Sequence, residues 1–504
     1  MAGRLIPAPG TVVVRMYRIG HGDCFLLACP GTTADKPVYV LIDCGYKPGS
    51  PKFIKTTAKE ITDDIREATG GHIDVAIITH EHQDHVNGIS QTNFKNITIG
   101  EAWFAWTEDP DDDVANDLRT EFKDKLLGLL AARNRLQADG DAEIATKLDR
   151  FLAFELGGED EAFNATAALT LLAADDPLNS MNKKSMKLIK DRASKGTKFL
   201  RPHSKIRNVP GADGIRVFVL GPPRNLEQLK SLDPEGDEEF HLAMSSPVAY
   251  FGAAARAANG DRSPQIPFAP RYSVPLAEAS AIPLFADHYG TTGDAPKTAP
   301  HAGALEVPTN ADWRRIDRDW LYSAEQLALD MSDYTNNSSL VLAFELGKGG
   351  KVLLFAADAQ RGNWKSWAKK GWTEGGKKVT VKNLLSRTVL YKVGHHGSHN
   401  ATLNGTADAD YANISWMAEG DHGREFTAMI TAVRKWAETQ DGWDHPLKAI
   451  KDALLQKAGG RVFQTDTDFD KLEKPSGATA AEWDQFTGRT VGDKLYFDYT
   501  ISRT

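Results

Sequence analysis

Residues 75–88 read VAIITHEHQDHVNG. The continuous apolar run at 75–79 is typical of a short strand buried on both faces. It leads directly into three imidazoles and a carboxylate within six residues: His80, His82, Asp84 and His85. In extended backbone His80 and His82 fall on one side of the chain, and Asp84 and His85 follow where the chain must turn. This is a dense donor set for Zn2+ or a similar borderline cation. The bland alternative is a polar surface loop. Three of the 14 histidines gathered as HxHxDH straight after an apolar strand speak against it.

The rest of the chain supplies layered α and β structure around that strand. Residues 11–17 (TVVVRMY), 24–28 (CFLLA) and 38–42 (VYVLI) are β-rich runs ending in turns, which predicts a meander. Residues 55–68 have helical spacing, as do 114–156, where Leu118, Phe122, Leu126, Leu129 and Leu130 form one face. Strand character returns at 215–220, 340–346, 352–356 and 388–393, followed by a helix over 446–457 and a strand over 461–464. Residues 222–310 are rich in Pro, Gly and Ala, which predicts an inserted, loop-rich subdomain.

Length and composition set the outer limits. A chain of 504 residues is enough for roughly three domain-sized units. With 41% hydrophobic and 25% charged residues it is neither disordered nor fibrous nor a disulfide-stapled miniprotein. A net charge of −8 confines any nucleic-acid contact to a local basic patch. Three cysteines provide neither a disulfide framework nor a CxxC zinc site, and the default is a reducing cytoplasm. The N-terminus lacks an apolar signal core, and no apolar run nears the roughly 20 residues that span a bilayer. The expectation is a soluble cytoplasmic protein with no membrane partner.

Further motifs flank HxHxDH in chain order: GHGDC at 20–24 and LIDCG at 41–45 before it, then NNSSLVL at 336–342, LLFAAD at 353–358, KVGHHGS at 392–398, His445–Pro446 and RVFQTD at 461–466 after it. Together they resemble the metallo-β-lactamase superfamily, in particular the branch containing the soluble domain of the DNA-uptake competence membrane protein. The resemblance implies an α/β fold, the αβ/βα sandwich that holds one or two metals, with two large insertions. Its core would comprise residues 11–100, a strand at 209–224 and residues 336–470. A mainly helical insertion would fill 101–208, a loop-rich one 225–335, and a strand or tail 471–504.

The resemblance also assigns roles. His80 and His82 would grip one divalent ion, Asp84 and His85 the second, and Asp358 would bridge them. His395 is the preferred last ligand, with His396 adjacent and not separated from it by sequence. Asp43 would stand behind a ligand histidine. Asp23 and His21 would line the pocket, with Ser398 and Asn400 at its rim. Two ions, Zn2+ by default and Mn2+ as the alternative, would activate a water as nucleophile. Asp84 would then belong to the catalytic set, and His445 or His399 would protonate the leaving group or hold a substrate phosphate. One departure concerns the first ion: Gly221-Pro222-Pro223 stands where relatives can show His-Pro. Water or His203, His241, His288 or His301 would have to substitute. Another is Ala357, where the family often has Gly.

Residues 359–387 interleave Trp364, Trp367 and Trp372 with lysines including Lys365, Lys369 and Lys370. Aromatic faces stack bases and cations follow a phosphate backbone, which makes Lys365, Trp367 and Lys369 candidate substrate contacts. Alternatively, Trp364 and Trp367 lie at i, i+3 on a helix packed on the core. Residues 181–208 carry ten Lys or Arg against Asp191 alone, either a second binding wall or a solvated face. The leading expectation is a metal-dependent hydrolase of phosphodiesters, a nuclease or nucleotide phosphodiesterase whose substrate could be nucleic acid. The alternatives are a hydrolase of carboxyl esters, lactones or thioesters, and a metal-stabilised binding module whose insertions recruit a partner protein.

Overall fold

The computed structural model describes residues 3–33, 36–139, 142–156, 180–202, 204–240, 316–440, 443–475 and 478–503. Strands β1 (Thr11–Tyr17), β2 (Cys24–Cys29) and β3 (Val38–Cys44) form the expected antiparallel meander. From β3 the pairing turns parallel through β4 (His72–Ile77), β5 (Thr98–Ala105) and β6 (Thr197–Leu200). A second sheet repeats the pattern. β7 (Arg207–Asn208), β8 (Ile215–Gly221), β9 (Val341–Leu346) and β10 (Val352–Phe355) pair antiparallel. After a hairpin of β11 (Gly371–Glu374) and β12 (Lys377–Thr380), the strands β13 (Thr388–Lys392), β14 (Thr427–Ile430) and β15 (Val462–Gln464) continue from β10 in parallel. β16 (Thr490–Gly492) and β17 (Tyr496–Ser502) return to the first sheet beside β1. The fold is thus mixed α/β with two mixed sheets.

Period-two burial explains how the sheets pack. Val12, Val14 and Met16 of β1, with Val40 and Ile42 of β3, share one core with Leu342 and Phe344 of β9 and Leu353 and Phe355 of β10. The alternate residues face outward and are also covered. Tyr39 and Leu41 meet Ile61 and Ile65 of helix Ala58–Thr69 and Ile189 of helix Met181–Arg192. Val352 and Leu354 meet helices Arg361–Trp367, Val381–Ser386 and Lys448–Lys457. Burial on both faces is why these strands read as unbroken apolar runs. β5, interrupted by Gly100 and Glu101, and the four-residue β14 lack that signature and were not expected.

The acidic loop at 108–113 takes ion pairs from two residues of the basic run at 181–208 and from Arg224. Arg201 pairs with Asp109 at 2.9 Å and Asp112 at 3.1 Å, Arg224 pairs with Asp112 at 2.5 Å, and Lys190 pairs with Glu108 at 3.4 Å. Lys190 and Arg201 of the basic run are thus engaged within the fold. Residues 114–156 form two helices, Asp113–Asp139 and Ala142–Leu156. Across these two helices Arg133 pairs with Asp149 at 2.6 Å. The loop-rich subdomain expected at 222–310 falls outside the described residues from 241 to 310. Among the described residues no helix is long and apolar enough to cross a membrane.

Candidate metal centre

Parallel strands carry their loops to one edge of a sheet, and there the sequence motifs meet. Asp43 lies at the end of β3, and β4 leads through Thr79 to His80. β10 leads to Asp358, β13 to His395 and His396, and β14 to Thr431. The two glycine motifs form the floor: the Asp23 amide donates to the Asp84 carbonyl and the Gly45 amide to the Asp23 carbonyl, both at 3.0 Å. A Cβ on Gly45 would lie 2.4 Å from the His85 amide nitrogen, so only glycine permits this approach.

Seven described non-glycine residues have left-handed φ, and four are here: Asp43 (55°), Ala357 (48°), His395 (39°) and His396 (53°). Such strain persists where the surroundings over-determine it, and it concentrates at functional sites. At Ala357 a glycine would adopt the same φ without cost.

One donor atom each from Asp23, His85, Asp358 and His396 lies within 4.8 Å of the others, and all four residues are buried. His85 Nε2 is 3.0 Å from Asp358 Oδ2. His396 Nε2 is 3.1 Å from Asp84 Oδ2 and 3.5 Å from Asp358 Oδ2. The opposite nitrogens are anchored: His85 Nδ1 to Asp43 Oδ2 at 2.8 Å, and His396 Nδ1 to Thr431 Oγ1 at 3.0 Å. Alongside, His80 Nε2 faces His82 Nδ1 at 3.1 Å. Behind them, His80 Nδ1 meets Ser339 Oγ at 3.2 Å and His82 Nε2 meets Glu155 Oε1 at 3.0 Å. Each ring therefore has one nitrogen held from outside and one turned inward.

His395 does not join this group. Its Nδ1 meets Ser398 Oγ at 2.8 Å and its Nε2 meets Asn336 Nδ2 at 3.2 Å, so both nitrogens are engaged elsewhere. The structure thus brings His396, and not the expected His395, into the group, and both residues have left-handed φ.

The electrostatics support a cation. Burial disfavours the charged form of Asp84, but Lys47, His396 and His85 outweigh it and hold the carboxyl well below its ordinary range. For Asp358 burial is likewise outweighed, by His85, His396 and Lys392. Burial opposes the His85 imidazolium, yet Asp358, Asp23 and Asp43 raise its pKa well above the usual value. Burial, helped by His85 and His82, pushes His80 well down, and burial brings His395 down to about 3. Five buried carboxylates (Asp23, Asp43, Asp84, Asp358, Glu155) face three buried cationic groups, Lys47, Lys392 and the His85 imidazolium. Lys392 Nζ bridges Asp23 at 2.5 Å and Asp358 at 3.3 Å, and Lys47 Nζ lies 3.4 Å from Asp84. Asp84 Oδ1 is buried and finds no hydrogen-bond partner among the described residues. Mixed nitrogen and oxygen donors with surplus negative charge fit a dication such as Zn2+ or Mn2+.

His21 is fully buried with its ring 4.6 Å from that of His396. His445 is 5.6 Å from His21 and 5.5 Å from His395. Burial and the histidines around it keep His445 well below its ordinary pKa. His399 is exposed, and a 3.1 Å bond to Asp233 Oδ1 raises its pKa. Ser398 Oγ donates to Asn400 Oδ1 at 2.8 Å.

The aromatic–basic segment does not reach substrate as anticipated. Trp364 and Trp367 are fully buried, their rings 4.5 Å apart on the outer face of the second sheet. A ring without an exposed face stacks no base, so Trp367 is structural. Lys365 is tied to Glu238 at 2.7 Å, Lys370 is buried against the Leu220 carbonyl, and Lys369 is exposed. At Gly221 a Cβ would lie 2.0 Å from Asn363 Oδ1, which excludes any ligand side chain there. The proposed substitutes His203, His241, His288 and His301 lie outside the described residues.

Sequence reasoning missed Lys47, Thr431, Ser339 and Glu155. Only Glu155 left a trace, an acid in helical step with Ala145, Leu148 and Leu152. Comparison of the sequence with protein-family models and with curated proteins finds no match.

Proposed function

We propose that the chain is a metal-dependent hydrolase of the metallo-β-lactamase type, its two sheets forming that family's αβ/βα sandwich, and that it acts on phosphodiesters. The observation that carries this reading is the surplus of buried negative charge around four donor atoms within 4.8 Å of one another. His80 and His82 would hold one divalent ion, Asp84, His85 and His396 the other, and Asp358 would serve both. The ions would supply Lewis acidity and a water whose pKa is brought towards neutrality. The chain's own residues do the rest. Asp43 and Thr431 fix the rings of His85 and His396, and Lys392 keeps the Asp23 and Asp358 carboxylates in position. His399, charged to higher pH by Asp233, holds a proton for the leaving group. His445, half-buried and held neutral, would line the pocket instead. The three buried free thiols support a reducing, cytoplasmic setting.

The choice of phosphodiesters rests on the motif resemblance, since the buried tryptophans withdraw the base-stacking argument. The test is elemental analysis of protein purified without added metal or chelator, beside Asp358→Ala. It is paired with turnover of bis(p-nitrophenyl) phosphate and p-nitrophenyl acetate. About two equivalents of metal, lost in the variant, with phosphodiester turnover is the expected result. Turnover of the carboxyl ester alone would transfer the reading to that class. Metal without turnover of either would favour the binding module, and an absence of bound metal would sink the metal centre.

A further inference from the structure

Glu155 ends helix Ala142–Leu156, in the long helical excursion between β5 and β6, and is buried. Its Oε1 lies 3.0 Å from His82 Nε2. Asn182 Nδ2 donates to the Phe154 and Glu155 carbonyls at 3.0 and 3.1 Å, which stitches this helix end to helix Met181–Arg192 on the first sheet. The Phe154 ring lies 4.5 Å from that of His82. The imidazole is thus gripped on its face and at one nitrogen. Its other nitrogen, Nδ1, is turned to His80 Nε2 at 3.1 Å. Two donor nitrogens bound to one Zn2+ at about 2.0–2.1 Å in a tetrahedron stand about 3.3–3.4 Å apart, so this pair is set close to metal-binding separation. Oε2 finds no hydrogen-bond partner among the described residues. A carboxylate buried with one oxygen unmatched is costly unless it serves a charged site.

We propose that Glu155 is a positioning residue for the first metal position. Its carboxylate accepts the Nε2 proton of His82 and so holds the Nδ1 lone pair towards His80 Nε2. It acts through His82 and is not itself a ligand, because it contacts the nitrogen directed away from the pair. The proposal rests on the metal-centre reading above and adds to it that one ion's affinity depends on the excursion between β5 and β6.

Two measurements on the full chain test it, each with Glu155→Gln and Glu155→Ala. In metal-free protein, nitrogen–proton correlation spectra of the imidazole rings should show His82 protonated at Nε2 in wild type and Glu155→Gln, whose amide oxygen still accepts. In Glu155→Ala the two tautomers should mix. In Co2+ titrations followed by visible absorption, Glu155→Ala should weaken one of two equivalents by about 10–100-fold and leave the other unchanged. Glu155→Gln should stay within a few-fold of wild type. An unchanged tautomer or unchanged affinities in Glu155→Ala would overturn the proposal. So would equal losses in the two variants, which would make the carboxylate itself the ligand. If wild type takes up no Co2+, the metal-centre reading falls and the metal role of Glu155 with it, while the ring spectra still report whether the anchor exists.

Discussion

Around His85 and His396 every anchor comes from the strand ends of the two sheets: Asp43 closes β3 and Thr431 follows β14. Around His80 and His82 the anchors are of mixed origin. Ser339 precedes β9, whereas Glu155 arrives from a helix 73 residues beyond His82 in the chain. The end of β8, where the resemblance would place a further ligand, is shut, since Asn363 fills the space at Gly221 and Lys370 caps the Leu220 carbonyl. A corner built only from strand ends inherits its geometry from the packed core. A corner that borrows a group from an excursion has its affinity set by that excursion as well.

Asp358→Ala should produce the largest effect, because on the proposed reading Asp358 would serve both ions. Both metal equivalents should be lost. The metal-free protein should lose about 1–3 kcal/mol in chemical denaturation, since Lys392 and His85 each lose one buried partner while keeping Asp23 and Asp43. Loss of one equivalent only would break the idea of a shared carboxylate. Next in size, His396→Ala should abolish one equivalent in a metal titration, while His395→Ala should keep both. The reverse order would return the ligand role to His395.

Lys370 tests the shut strand end through pH. Burial lowers its folded-state pKa to about 7 from the 10.5 of an exposed lysine. Between those values the unfolded chain holds the extra proton, so stability should rise with pH across that window, by up to about 1.4 kcal/mol per unit. Below pH 7 both states are charged and the burial penalty stands in full. Denaturation of Lys370→Met should show a flatter pH response. A wild-type profile without that rise would mean that Lys370 does not cap β8.

Two smaller effects sharpen the contrast. Thr431→Val removes one of two acceptors of the His396 Nδ1 proton, the other being the Thr431 carbonyl at 3.1 Å. It should weaken one equivalent less than tenfold, about 1 kcal/mol, and not the equivalent that responds to Glu155→Ala. Asp233→Asn should lower the raised pKa of His399. If His399 donates the leaving-group proton, the alkaline limb of kcat/KM then moves to lower pH, and an unmoved limb would remove His399 from that role.

Much of the fold was legible because strands buried on both faces leave unbroken apolar runs, as in β3 and β9. β5 escaped notice because Gly100 and Glu101 interrupt its run, although it stands inside a parallel sheet. The donor motif was legible because His80, His82, Asp84 and His85 are close neighbours at one strand end. The role of Trp367 was ambiguous because a buried helix and a stacking platform place tryptophans at the same spacing.

By itself, the sequence determined the local features: strand content, the clustered donors after β4, and the glycines that let two loops close on His85. These depend on residues a few positions apart. Tertiary structure alone decided that His396 rather than His395 turns inward, that Asn363 occupies the space beside Gly221, and that Glu155 stands behind His82. Those outcomes depend on which nitrogen of a ring meets which distant group at hydrogen-bond distance. Packing and local backbone conformation settle that, and spacing along the chain does not.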